Sequence, residues 1–162
     1  MRLSRDLPVG RPLNLTVIAK NEYRRIDLGV ASHKDKELVL SIFECGENLE
    51  KLSLPANEQV EALNGECPFL TAWYEWCFSV SQFREKLNNR SIPSFYDSKL
   101  LDALNDLAKA FDALSEEECV EASEKILYKK GWNLIREKSK LPLDLIHWNQ
   151  LKAVKNDVLK ML

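Results

Sequence analysis

Four cysteines (Cys45, Cys67, Cys77 and Cys119) and two histidines (His33 and His147) are the side chains of this chain best suited to ligating a metal or attacking a substrate. Zinc needs several such groups converging. The spacing Cys67-x9-Cys77 matches no C-x2-C knuckle, and the histidines form no His-x3-His pair, so neither a metal site nor a cofactor is expected. A cysteine nucleophile would require a base that meets it in space. His147, on the apolar seam of the last helix, is the one candidate, and it reads more simply as a core histidine. His33 lies beside a charged turn and reads as solvated. The thiols stand among apolar or helical residues and read as buried and free rather than paired. Glycines at 10, 29, 46, 65 and 131 are too scattered for a GxGxxG or Walker loop, and there is no G-x-S-x-G elbow. The run Glu116-Glu117-Glu118 is explained by helix initiation rather than acid–base work.

Two constellations suit binding instead of catalysis. Lys20, Tyr23, Arg24, Arg25, Lys34 and Lys36 place cations around an aromatic ring, which on one face of a sheet could track a single-stranded nucleic-acid backbone. Further on, Phe69, Trp73, Trp76, Val80, Phe83 and Leu87 recur at spacings of four and three, a stripe along one helix. Trp73, Tyr74 and Trp76 within it could form a hot spot for a partner protein. Core packing competes with that reading, and exposure discriminates: dry tryptophans are architecture, wet ones a contact surface.

The elements that would position these residues follow from periodicity. Pro8, Gly10 and Pro12 make residues 1–12 an irregular arm. Period-two alternation then suggests a β-meander: Leu13, Leu15 and Val17; next Ile26, Leu28 and Val30 within Tyr23–Ser32; next Glu37–Cys45; and, after a turn at Gly46-Glu47-Asn48, a short strand over Leu49–Leu54. Pro55 suits the first turn of a short helix over about 55–64 that ends at Gly65. From Pro68 the period becomes helical, with one helix over 68–89. A second starts at Ser94, with the seam Leu100, Leu104, Leu107, Phe111 and Leu114. A third is opened by the capping box Ser115–Glu118 and either breaks or continues at Gly131, and a last one starts at Pro142 and runs along Leu143, His147, Leu151, Val154, Val158 and Leu162. The fold expected is α+β: a four-stranded, mostly antiparallel meander with a short helix (13–64) packed on a helical part (65–162), all in one domain, 1–162.

The predicted order of four strands and a short helix over residues 13–64, with Leu52-Ser53-Leu54-Pro55-Ala56 at the strand-to-helix junction, resembles in topology the meander-plus-helix unit of the Whirly and PUR-alpha class of single-stranded nucleic-acid binders. The resemblance implies the same use of a sheet face for nucleic acid.

Charge refines this picture. The net charge is only −2, which disfavours a general polyanion binder. Residues 1–36, however, hold eight basic side chains against four acidic ones, and residues 37–68 hold seven glutamates against the single Lys51. Cross-strand pairing within the sheet would account for that asymmetry. No apolar run is long enough to span a bilayer and no signal-peptide pattern follows Met1, so a cytoplasmic protein without membrane contact is expected. These residues favour a non-catalytic interaction or regulatory protein that binds another protein. A single-stranded nucleic-acid binder is the alternative, and an enzyme with a cysteine nucleophile comes third.

Overall fold

The structure is a computed structural model that describes residues 33–89, 98–120 and 123–161. Every regular element among the described residues is helical. Helix α1 (His33–Ser53) is followed by α2 (Ala56–Leu63) and by a π-helical segment (Phe69–Cys77) that runs without a break into α3 (Phe78–Asn88). Next come α4 (Ser98–Asp112), the short α5 (Glu116–Val120), a 3-10 turn (Glu124–Tyr128), α6 (Lys130–Leu145) and α7 (Trp148–Met161). Helix α6 packs against both α1 and α4, while α1 also meets α3, the π segment and α7.

The α+β expectation is therefore corrected. The third and fourth strands of the predicted meander are a single helix, and the likeness to the Whirly and PUR-alpha unit lapses with them. The first two predicted strands, the arm at 1–12 and the Ser94 cap lie outside the described residues. The error has a physical origin. Leu38-Val39-Leu40-Ser41-Ile42-Phe43 is a short apolar run, which periodicity alone cannot assign to strand or helix. The side chains that α1 buries, Val39, Ile42, Phe43, Cys45, Leu49 and Leu52, recur at helical intervals, whereas Leu40 stays half exposed.

Gly46 made the misreading persuasive. It stands in mid-helix not as a turn but because the ring of Trp148, at the start of α7, rests on it: a Cβ added at Gly46 would lie 2.2 Å from Trp148 Cε3 and Cζ3. Close approach of a side-chain ring to the helix backbone, which no Cβ permits, is the use of glycine here. The Trp148 ring is fixed by its Nε1–H, which donates to Glu50 Oε2 at 2.6 Å. Lys152 Nζ reaches the same carboxylate at 3.0 Å, and Lys155 pairs with Glu47. Part of the acidic stretch 37–68 thus finds its counter-charges on the last helix, not on a neighbouring strand.

The other junctions follow local rules. Helix α2 ends on two successive left-handed residues, Asn64 (φ 51°) and Gly65 (φ 80°), one residue earlier than glycine alone suggested. The capping box at Ser115 is present: Glu118 N–H donates to Ser115 Oγ and Ser115 N–H donates to Glu118 Oε1 at 3.0 Å. The other oxygen of Glu118 accepts the Gly131 N–H at 2.7 Å, so one carboxylate caps two helices. The helix opened at Ser115 therefore neither ends at Gly131 nor runs through it: the chain is extended at Lys129, and Gly131 lies in the first turn of α6. Leu114 and Glu118 crowd the glycine so closely that a Cβ would lie 2.6 and 2.5 Å from them. Pro142 lies in the last turn of α6 rather than opening a helix, and exposed His147 (φ 56°) joins α6 to α7.

The hydrogen bonds from Ser115 and Gly131 hold the Glu118 carboxyl below its ordinary value of 4.5, the Ser115 amide contributing most. A carboxylate lowered on folding stabilises above its unfolded value, and that stabilisation is lost as pH falls through the folded one. Stability should therefore fall below pH 4.5 in the native protein. Glu118→Gln, followed by urea unfolding across that range, should show a shallower acid-side loss.

Candidate interaction face and adjoining cavity

The π-helical segment decides which aromatic side chains meet water. At its end the Phe78 N–H donates to Trp73 O, five residues back. Its buried residues fall in two pairs five apart, Thr71 with Ala72 and Trp76 with Cys77, before Val80, Phe83 and Leu87 resume the α-helical interval. The wider winding turns Phe69 and Trp73, which a 3.6-residue period would bury, toward the boundary. It leaves Leu70 (59% exposed), Tyr74 (55%) and Phe78 (54%) in a row on the surface. Runs of π-helix are rare and often mark functional sites.

The three aromatic residues predicted as a hot spot are thus divided. Trp76 is 1% exposed and belongs to the core. Trp73 is half-buried, its ring edge-on to Phe111 of α4 at 6.5 Å between centroids. Tyr74 is exposed and stacks edge-on against Phe69 at 5.2 Å. Leu70 and Phe78 were missed by sequence reasoning. Their signal was present as the spacing of four through Leu70, Tyr74 and Phe78, but it was hidden because nearly every residue from Phe69 to Phe78 is apolar.

Beside this row, between the π segment with α3 and the antiparallel α4, is a cavity of about 220 Å³. Trp73, Tyr74, Phe78 and Phe111 supply aromatic walls, and Arg84 and Asp112 supply charge. Arg84 Nη1 donates to Asn105 Oδ1 at 3.1 Å, while its Nε is buried without a hydrogen-bond partner. The Arg84–Asn105 and Trp73–Phe111 contacts fix the helix register, so Arg84 and Asp112 mark opposite ends of the cavity.

Of the predicted nucleic-acid residues, Lys20, Tyr23, Arg24 and Arg25 lie outside the described residues, and Lys34 and Lys36 fall in the first turn of α1, not on a sheet. Among the described residues no three His, Cys, Asp or Glu side chains are grouped to hold a metal ion. No described helix is long and apolar enough to cross a membrane.

Cys45, Cys77 and Cys119 are poorly placed for attack. Burial pushes the Cys45 and Cys77 thiols far above their ordinary value and raises that of Cys119. A nucleophilic cysteine needs the reverse shift and some exposure. Alkylation of the folded protein with iodoacetamide should therefore modify Cys67 and Cys119, the half-buried pair, well before Cys45 and Cys77, with all four reacting in denaturant; peptide mass spectrometry reads the order.

Comparison of the chain with protein-family models, with curated proteins and with solved structures returned no match.

Proposed function

We propose that this chain is a non-catalytic interaction protein that receives an apolar segment of a partner protein on the row Leu70, Tyr74 and Phe78. The observation that carries this reading is the exposure of three large apolar side chains in line on one helical face, all more than half accessible. Isolated exposed apolar residues are ordinary, whereas a continuous row marks a contact surface. Side chains four apart on a helix present the knobs against which an amphipathic partner helix lays its apolar stripe. Tyrosine at the centre of the row suits this role, since aromatic anchors dominate interface energetics.

Substituting Leu70→Ser, Tyr74→Ser and Phe78→Ser together should leave the fold intact, because all three already face water, and should abolish complex formation. Co-elution of the native and substituted proteins with partners, alongside circular dichroism, tests this. Equal complex formation by the two proteins would reject the face as the contact surface.

A further inference from the structure

We propose that the cavity between the π segment with α3 and helix α4 is a binding site for a small monocyclic aromatic carboxylate, its ring against Trp73, Tyr74, Phe78 and Phe111 and its carboxylate on Arg84.

Size sets the first limit. An apolar cavity of about 150 Å³ holds benzene, so the 220 Å³ here, open to solvent on one side, has room for one ring with a short acidic arm. The lining sets the second. Four aromatic side chains offer faces and edges for offset or edge-on packing of a further ring, an arrangement that Trp73 and Phe111 already make with each other.

Arg84 supplies the acid's partner. Its Nη1 is held by Asn105, whereas Nε is sealed from solvent with no acceptor, a rare and costly condition for a buried donor. A carboxylate that draws this edge of the guanidinium toward the cavity accepts from it side-on and relieves the unmet donor with a charge-assisted bond. Asp112, at the opposite end, repels a second carboxylate and selects monoacids over diacids. The buried Cys77 contributes apolar wall only.

Tyr74 and Phe78 belong both to the protein-docking row and to the cavity wall, and the two sites part at their other residues. Leu70 belongs to the exposed row and not to the cavity, and Arg84 belongs to the cavity and not to the row, so Leu70→Ser and Arg84→Met distinguish failure of one from failure of the other.

The test is titration of the full chain with phenylacetate, with its neutral isostere phenylacetamide, and with the diacid terephthalate, followed by calorimetry and by NMR of the Trp73 indole and the Ala108 amide. Phenylacetate should bind saturably and shift both signals. Phenylacetamide and terephthalate should each bind about tenfold more weakly or worse, as should phenylacetate to Arg84→Met, while Leu70→Ser binds as the native protein does. Absence of saturation by phenylacetate up to about 10 mM, equal binding of acid and amide, or shifts confined to other helices would overturn the proposal. Should Arg84→Met fail to fold, the comparison of acid with amide on the native chain decides alone.

Discussion

Arg136→Met should lower the stability of the protein by about 3 kcal/mol, because it leaves two buried oxygens without their donor. Arg136 is 8% exposed, and among the described residues no carboxylate accepts a hydrogen bond from it. Its Nη1 donates to Gln59 Oε1 and to Leu127 O, both at 2.7 Å, and Nη2 donates to Asn133 Oδ1. Gln59, itself fully buried, donates its own amide protons to the carbonyls of Lys51 and Leu52 at 3.1 and 3.0 Å, in the last turn of α1, where Lys51 O also accepts the Leu54 N–H. One cation on α6 thereby joins the end of α1, the middle of α2 and the 3-10 turn. Desolvation lowers its pKa without depriving it of charge at neutral pH. Methionine preserves the aliphatic stem and removes the donors, so urea unfolding of this variant reads the network rather than lost packing. A Gln59→Leu, Arg136→Met double variant should be less unstable than the sum of its single changes, since each removes the group that the other would strand. Additive losses would show that the two residues act apart.

Gly46→Ala should destabilise by about 2 kcal/mol, opposite in sign to the usual effect of replacing a mid-helix glycine. Alanine in an open helix position would gain about 1 kcal/mol of propensity. Here the new methyl group would enter the Trp148 ring, which cannot swing away without giving up its bond to Glu50 and its own burial. Thermal unfolding gives the sign directly. Stabilisation would mean that α7 does not cross α1 at this point. A compensating Trp148→Leu in the alanine background should recover part of the loss.

The same glycine shows why the helical half was legible and the first half was not. The seam Leu100, Leu104, Leu107 and Phe111 is buried as its period requires, because about four turns of alternating apolar and charged residues leave one solution. Ser115 and Glu118 announced their cap by local chemistry alone, and Pro68 its helix. Gly46 carries no such local meaning. Its reason is Trp148, about a hundred positions away in sequence, and a tertiary contact of that range leaves no trace in a window of ten residues. Without it, Leu38 to Phe43 alternates well enough to pass for a strand. The charge asymmetry misled for the same reason, since Lys152 and Lys155 answer Glu50 and Glu47 from the far end of the chain. At the candidate site, Tyr74 was legible as a contact residue because it sits among tryptophans. Which of its neighbours joined it depended on π winding, which turns Trp73 and Trp76 inward to different depths and which composition does not encode.

The claim that the protein works through the row on the π segment is tested most directly by a photo-reactive phenylalanine analogue at position 74, with the same analogue at Glu137, on the exposed side of α6, as the control. The account predicts light-dependent adducts with a defined protein from position 74, lost when Leu70→Ser and Phe78→Ser are added and absent from position 137. Adducts that are the same from both positions, or that persist after the two serine substitutions, would contradict it.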